Sequence, residues 1–159
     1  SWNNIKPEGK YFEELKRVSK NQIIWGGNNF NLPPSEYFII WDKINPQDFS
    51  FAMCEQAWTN VKKPAKIFRY NSVKECKDRI HPTQKPVALY EWLLNNYAKQ
   101  GDKILDTHVG SASSLIACYN LGFEYVGFEL DEDYYKTACK RLEARKNQMD
   151  IFHIEEETE

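Results

Sequence analysis

Residues 106–114, DTHVGSASS, follow the apolar run GDKIL and lead into LIACYNLGFEYVGFEL. A run that closes on Asp106 and turns through Gly110 into a helix near Ser113 brings main chain close to a ligand. Gly110 suits this because it has no Cβ and tolerates a positive φ. About twenty residues on, Glu129 closes the next apolar run, the position from which an acid accepts ribose hydroxyls in dinucleotide-binding folds. The chemistry on offer is recognition of adenosine. Of a GxGxxG pattern only Gly110 is present, with Ala112 two positions on. A pyrophosphate needs several glycines to admit backbone against it. The loop therefore speaks against NAD and leaves open a cofactor without phosphates, such as S-adenosylmethionine. Taken alone, it reads equally well as a plain strand-to-helix turn.

The elements that must hold these residues follow from periodicity. PVALYEWLLNNYAK is helical, with Val87, Tyr90, Leu94 and Tyr97 on one face and Pro86 in the first turn. DKILD is a strand, SSLIACYNLG a helix capped by Gly122, and EYVGFEL a strand that ends at Glu129. DEDYYKTACKRLEARK is a long helix with acids first and bases last, as the helix dipole favours, and MDIFHIE reads as a last strand. This alternation predicts a parallel sheet with helices on its faces, whose ligands sit at the carboxyl ends of the strands. The first half is less regular. Tyr11, Leu15 and Val18 mark a helical face, NQIIWGG and EYFIIWDK are strands, and residues 66–70 form another; FSFAMCEQAWTN fits a strand or a short helix. Trp25 and Trp41 read as core.

With 159 residues, 42% of them hydrophobic and 28% charged, the chain fits one soluble α/β domain: 1–80 as one half, 81–159 as the other. A net charge of −2 gives no global pull toward nucleic acid, so such binding must rest on a local patch. Lys62, Lys63, Lys66, Arg69, Lys74, Lys77 and Arg79, interleaved with Phe68 and Tyr70, form a short segment suited to tracking phosphates, although Glu75 and Asp78 dilute it. Cys54, Cys76, Cys118 and Cys139 lack metal-site or redox-motif spacing and read as thiols of a reducing compartment. No apolar run has membrane-spanning length and no signal peptide opens the chain, so the expected location is the cytoplasm.

The stretch HPTQKPVALYEWLLNNYAKQGDKILD, followed by the loop at 106–112 and by Glu129, resembles the permuted (β-class) DNA adenine and cytosine amino-methyltransferases. GFEYVGFELDEDYYKTACKRL is similar to the family's segment after the loop, and WGGNNF and FIIWDK look like its target-base half. The variant Asp106-Thr107-His108 is closest to phage and prophage adenine-specific methylases. The resemblance implies a Rossmann-like, S-adenosylmethionine-dependent fold in permuted order, acting on double-stranded DNA in a restriction-modification setting. Asp106, Thr107, His108, Gly110, Ser111 and Glu129 then hold the cofactor, with His81, Thr83 and Lys85 near its methionine end.

Two departures qualify that implication. Ala112 stands where the family has glycine, placing a methyl near the ligand. The family's Asp-Pro-Pro-Tyr tetrad, which grips the target amine, is absent, and NLPPSEYF is a decoy with Leu32 before its prolines and Ser35 after them. The tetrad caps a strand lying centrally beside the one that ends at Asp106. The chain is thus expected to be one central strand short and inactive alone, with no catalytic residue of its own, its sheet completed by an upstream segment or a homodimer. Two other readings remain open: a decayed, non-catalytic DNA-binding module, and a methyltransferase acting on something other than DNA.

Overall fold

The computed structural model describes residues 7, 9–45, 52–71 and 79–156, the last eight by their backbone. It divides into two compact units, Ser1–Val73 and Lys74–Glu159.

The first unit holds helix α1 (Gly9–Val18) and strands β1 (Ile23–Trp25), β2 (Phe38–Asp42), β3 (Cys54–Thr59) and β4 (Lys66–Arg69). Their order in the sheet is β1-β3-β2-β4, antiparallel except for the parallel pair β2/β4. One face carries buried Ile39, Trp41, Ala57 and Thr59, every second residue of β2 and β3, as the two-residue strand period requires. Trp41 is core, and its indole N–H donates to the Tyr70 carbonyl at 3.1 Å; Trp25 is half-buried. In α1 the buried residue is Phe12, packed on Phe30 with ring centroids 5.3 Å apart, whereas Val18 is exposed. The apolar face is therefore shifted from the expected Tyr11–Leu15–Val18 stripe, because the Phe12 ring has no hydroxyl to keep hydrated and Phe30 offers it a partner. The ambiguous stretch resolves as β3, and residues 49–51 lie outside the described residues. The Pro33–Pro34 loop is structural: the Ser35 hydroxyl donates to the Thr59 carbonyl at 2.8 Å and lies 3.1 Å from that of Tyr37, and Trp58 Nε1 donates to Pro33 O at 2.8 Å.

The second unit holds helix α2 (Val87–Tyr97), strand β5 (Lys103–Asp106), helix α3 (Ser113–Leu121), strand β6 (Glu124–Gly127) and helix α4 (Glu132–Glu156). β5 and β6 pair in parallel, Leu105 opposite Val126, as the alternation predicts. Among the described residues β5 has no ladder partner besides β6. Pro86 is the N-cap of α2 and not part of its first turn. The deepest residues of α2 are Leu89, Leu93 and Leu94, with Val87 and Tyr90 half-buried beside the Leu94–Ala117–Cys118 cluster. Gly122 caps α3 as expected, donating to the carbonyls of Cys118 and Tyr119. Burial, and secondarily the Asp106 charge, pushes the Cys118 thiol up to about 12, so it is inert near neutral pH.

Two expectations at the chain's end are corrected. β6 stops at Gly127, so Glu129 lies beyond the strand. The strand read into MDIFHIE is helix, the continuation of α4. Nothing from Glu132 to Glu156 breaks a helix, since the segment has neither glycine nor proline. The bases at Lys140–Lys146 thus fall mid-helix and do not answer the dipole. At the other end Asp131 is the N-cap, its Oδ1 accepting the N–H groups of Asp133 and Tyr134, both at 3.0 Å.

Candidate functional site

The site is built in the second unit, where β5 gives way to α3. Asp106 closes the loop on itself. Its Oδ1 accepts the His108 N–H at 2.9 Å, and its Oδ2 accepts the Ser114 hydroxyl from the first turn of α3. The ladder then extends past the strands, with Phe128 N–H donating to Asp106 O (2.9 Å) and Val109 N–H to Phe128 O (3.0 Å). That extension brings Glu129 under the loop. Glu129 Oε2 accepts the Gly110 N–H at 2.8 Å, and Oε1 accepts the Asp131 N–H at 3.0 Å. Gly110 and Glu129, distant in sequence, are thereby joined by a direct bond.

His81 meets the same loop. A Cβ at Gly110, whose φ is +52°, would lie 3.4 Å from the His81 ring, so a side chain there is both strained and crowded. The ring also packs edge-on against Tyr134 at 4.3 Å. His81 is 6% exposed, and that burial holds it below the ordinary imidazole pKa; Lys85 adds to the effect, and Glu129 and Asp131 oppose it. Thr83 folds back with its N–H and hydroxyl 3.3 and 3.1 Å from His81 Nδ1. Gln84 closes this turn from within, its side chain accepting the Ile80 N–H at 3.0 Å. Lys85 is half-buried beside this turn. Thr107 and His108 bond to each other at 3.0 Å on the exposed side of the loop.

The remaining sequence-derived positions are dispersed. Lys62, Lys63, Lys66 and Arg69 are exposed in the first unit, where Arg69 lies 3.3 Å from Asp42 and Phe68 stacks on Tyr70. Arg79 is exposed in the second unit. Lys74 and Lys77 lie outside the described residues.

One contributor was not legible in the sequence. Arg141 reaches from α4 to the loop, donating from Nη1 to Ser111 O at 2.7 Å and to Ser113 Oγ at 2.8 Å. Thirty residues separate these partners, and a mid-helix arginine carries no local signal of such a contact. Between the two acceptors lies Ala112, in left-handed backbone (φ 62°, ψ 17°). A residue with a Cβ pays about 1–2 kcal/mol for that conformation. Its methyl is buried in the cluster of Val109, Leu115 and Ala138 and so does not reach toward a ligand as the family comparison implied.

The donor set fits an adenosine cofactor. An ionised carboxylate offers about four acceptor sites, and the main chain takes one on each oxygen of Glu129. One acceptor per oxygen is left for a vicinal diol. Ala112, the N-cap of α3, supplies no side-chain cap to that helix.

The family model for N6/N4 DNA methylases matches residues 2–140. The chain is 29% identical over 124 residues to the type II methyltransferase M.HpaI of Haemophilus parainfluenzae, covering 76% of this chain and 38% of that protein. It is 31% identical over 134 residues to M2.DpnII of Streptococcus pneumoniae, covering 67% and 50%. Among solved structures it is similar to M1.HpyAVI in complex with S-adenosylmethionine, with TM-score 0.53, 28% identity, and 65% and 60% of the two chains covered. The chain spans about half the length of the relatives it matches, or less. Its α/β fold is that of the S-adenosylmethionine-dependent methyltransferases, as the sequence led us to expect.

Proposed function

The chain belongs to the N6/N4 DNA methylase family, and from that premise we propose that its second unit binds S-adenosylmethionine at the loop 106–114. The observation that carries this reading is the bond from Gly110 N–H to Glu129, which sets an acid beneath a turn too poor in glycine for a pyrophosphate. Glu129 accepts the ribose hydroxyls, Asp106 and Gly110 shape the loop, and His81, Thr83 and Lys85 stand at the methionine end. The cofactor, when bound, supplies an electrophilic methyl group. What the chain itself does is position: Asp106, Glu129 and the His81 turn fix the loop before any ligand arrives, so little order has to be gained on binding.

The reaction we assign is site-specific methylation of the exocyclic amine of adenine in double-stranded DNA. Lys62, Lys63, Lys66 and Arg69, all exposed, suit phosphate contacts. Adenine over cytosine rests on the Asp106-Thr107-His108 variant alone. A cytoplasmic setting suits the free thiols Cys54, Cys118 and Cys139; no described helix is long and apolar enough to cross a membrane. The test is calorimetric titration with S-adenosylmethionine, with NAD as control. Saturable binding is expected, with NAD weaker by at least about 100-fold, a difference of about 2.7 kcal/mol. Equal binding of both, or of neither by a folded chain, would overturn the assignment.

Methyl transfer needs more than these residues supply, and we further propose that the β5–β6 sheet is completed by added structure, an upstream segment or a second copy. Leu105, Val126 and Phe128 lie on one exposed face, at 37%, 56% and 59%. Parallel sheets are ordinarily covered on both faces. Sedimentation velocity of the chain should show concentration-dependent association that a Leu105→Lys, Val126→Lys double variant loses while staying folded. A strictly monomeric chain would exclude the second copy.

A further inference from the structure

We propose that Arg141 is a positioning residue of the loop 106–114, and that it is what allows this chain to carry alanine at position 112. The inference rests on reading that loop as the cofactor loop, but its geometry stands independently. Nη1 of Arg141 donates to the carbonyl of the residue before Ala112 and to the hydroxyl of the residue after it, at 2.7 and 2.8 Å. The two serines complete a small ring, Ser111 Oγ to Ser113 Oγ at 3.0 Å, and both are almost wholly buried, at 4% and 2% exposed. The guanidinium therefore brackets the one residue of the loop whose backbone is strained. Asparagine or aspartate in left-handed backbone can bond locally through its own side chain; alanine has nothing to offer but a methyl. The support has to come from outside, and a charge-assisted donor contacting both neighbours is the strongest kind available.

The rest of the loop explains why the support comes from α4. Glu129 holds Gly110 from below and, through its other oxygen, the N–H of Asp131, which caps α4. The carboxylate thus fixes the start of α4 against one half of the loop, and Arg141, further along that helix, grips the other half. An anion and a cation hold the two halves of one turn. A glycine at 112 would need only the first.

The test is a set of variants of the full chain: Arg141→Met, Arg141→Lys, Ala112→Gly and the Met/Gly double variant. Amide hydrogen exchange over residues 110–116 is measured without cofactor, and affinity for S-adenosylmethionine by calorimetry. Arg141→Met is expected to speed exchange in the loop at least about tenfold and to weaken cofactor binding to a similar degree. Ala112→Gly alone changes either by about twofold or less, since relief of strain offsets the lost methyl contact. In the double variant the glycine restores most of what Arg141→Met removed, and Arg141→Lys, which keeps the charge and one donor, retains part of it. A loss of equal size with alanine or glycine at 112, or loop exchange unmoved by Arg141→Met, would overturn the proposal. Should Arg141→Met not fold, the comparison of Arg141→Lys with and without Ala112→Gly reads the same coupling. If the wild-type chain binds no cofactor, the assignment under the previous heading fails, while exchange still decides the role of Arg141.

Discussion

Glu129→Ala is expected to weaken S-adenosylmethionine binding by about 100-fold or more, while the chain stays folded. The magnitude follows from the bonds removed. Two hydroxyl-to-carboxylate bonds, each worth about 1.5–3 kcal/mol as bonds to a charged group, are lost together, and about 1.4 kcal/mol is a factor of ten. The loop loses a support as well, because Gly110 N–H and Asp131 N–H both bond to this carboxylate. Glu129→Gln separates the two contributions. Its amide oxygen can still accept one N–H, so the loop is partly kept, but the amide group turns a donor toward the other partner and weakens the grip on the diol. An intermediate loss is expected. Calorimetry on the three proteins checks this, with thermal melting to show that each is folded. Unchanged affinity in Glu129→Ala would mean that the carboxylate only braces the loop and that the ribose is held elsewhere.

The order of elements around this site was legible because each carries its own local signal. DKILD and EYVGFEL read as short apolar strands, SSLIACYNLG runs to a glycine cap, and Asp131 opens the long helix. What failed to show were features decided at a distance. Phe12 displaced the expected α1 stripe because Phe30 offers it a partner across the unit. The strand read at MDIFHIE rested on a short apolar run, and the uninterrupted helix before it prevails. In the site, Asp106, Gly110 and Glu129 announced themselves by residue identity and spacing, and His81 only through the family resemblance. Their bonds to one another did not, and Arg141 was hidden altogether, since mid-helix bases are ordinarily a solvated face. Ala112 was read correctly as a departure, but its consequence was misplaced: strain falls on the backbone, and the methyl goes to the core.

Gly127→Ala should lower the stability of the second unit by about 1–3 kcal/mol, the range for overpacking a filled core, and carry the cofactor site with it. Gly127 closes β6 on the side facing α3. A Cβ built there would lie 2.5 Å from Val109 Cγ2 and 2.9 and 3.1 Å from the two Leu115 methyls. Both neighbours are themselves buried, at 9% exposed, so neither has open space to swing into. The strain must go into the backbone, and the adjacent backbone is the loop, since Val109 immediately precedes Gly110. A fall in melting temperature of roughly 2–12 °C, at about 2–4 °C per kcal/mol for a chain of this size, should therefore come with weaker binding of S-adenosylmethionine. The mechanism has a sharper consequence than either loss. Val109→Ala in the wild-type chain removes buried methyls and destabilises; in the Gly127→Ala background it vacates the space the new methyl needs and should stabilise. Melting curves of the four proteins would show that reversal of sign. Losses that simply add would mean that β6 shifts away from α3 as a whole, and that Gly127 is a matter of strand propensity and not of contact.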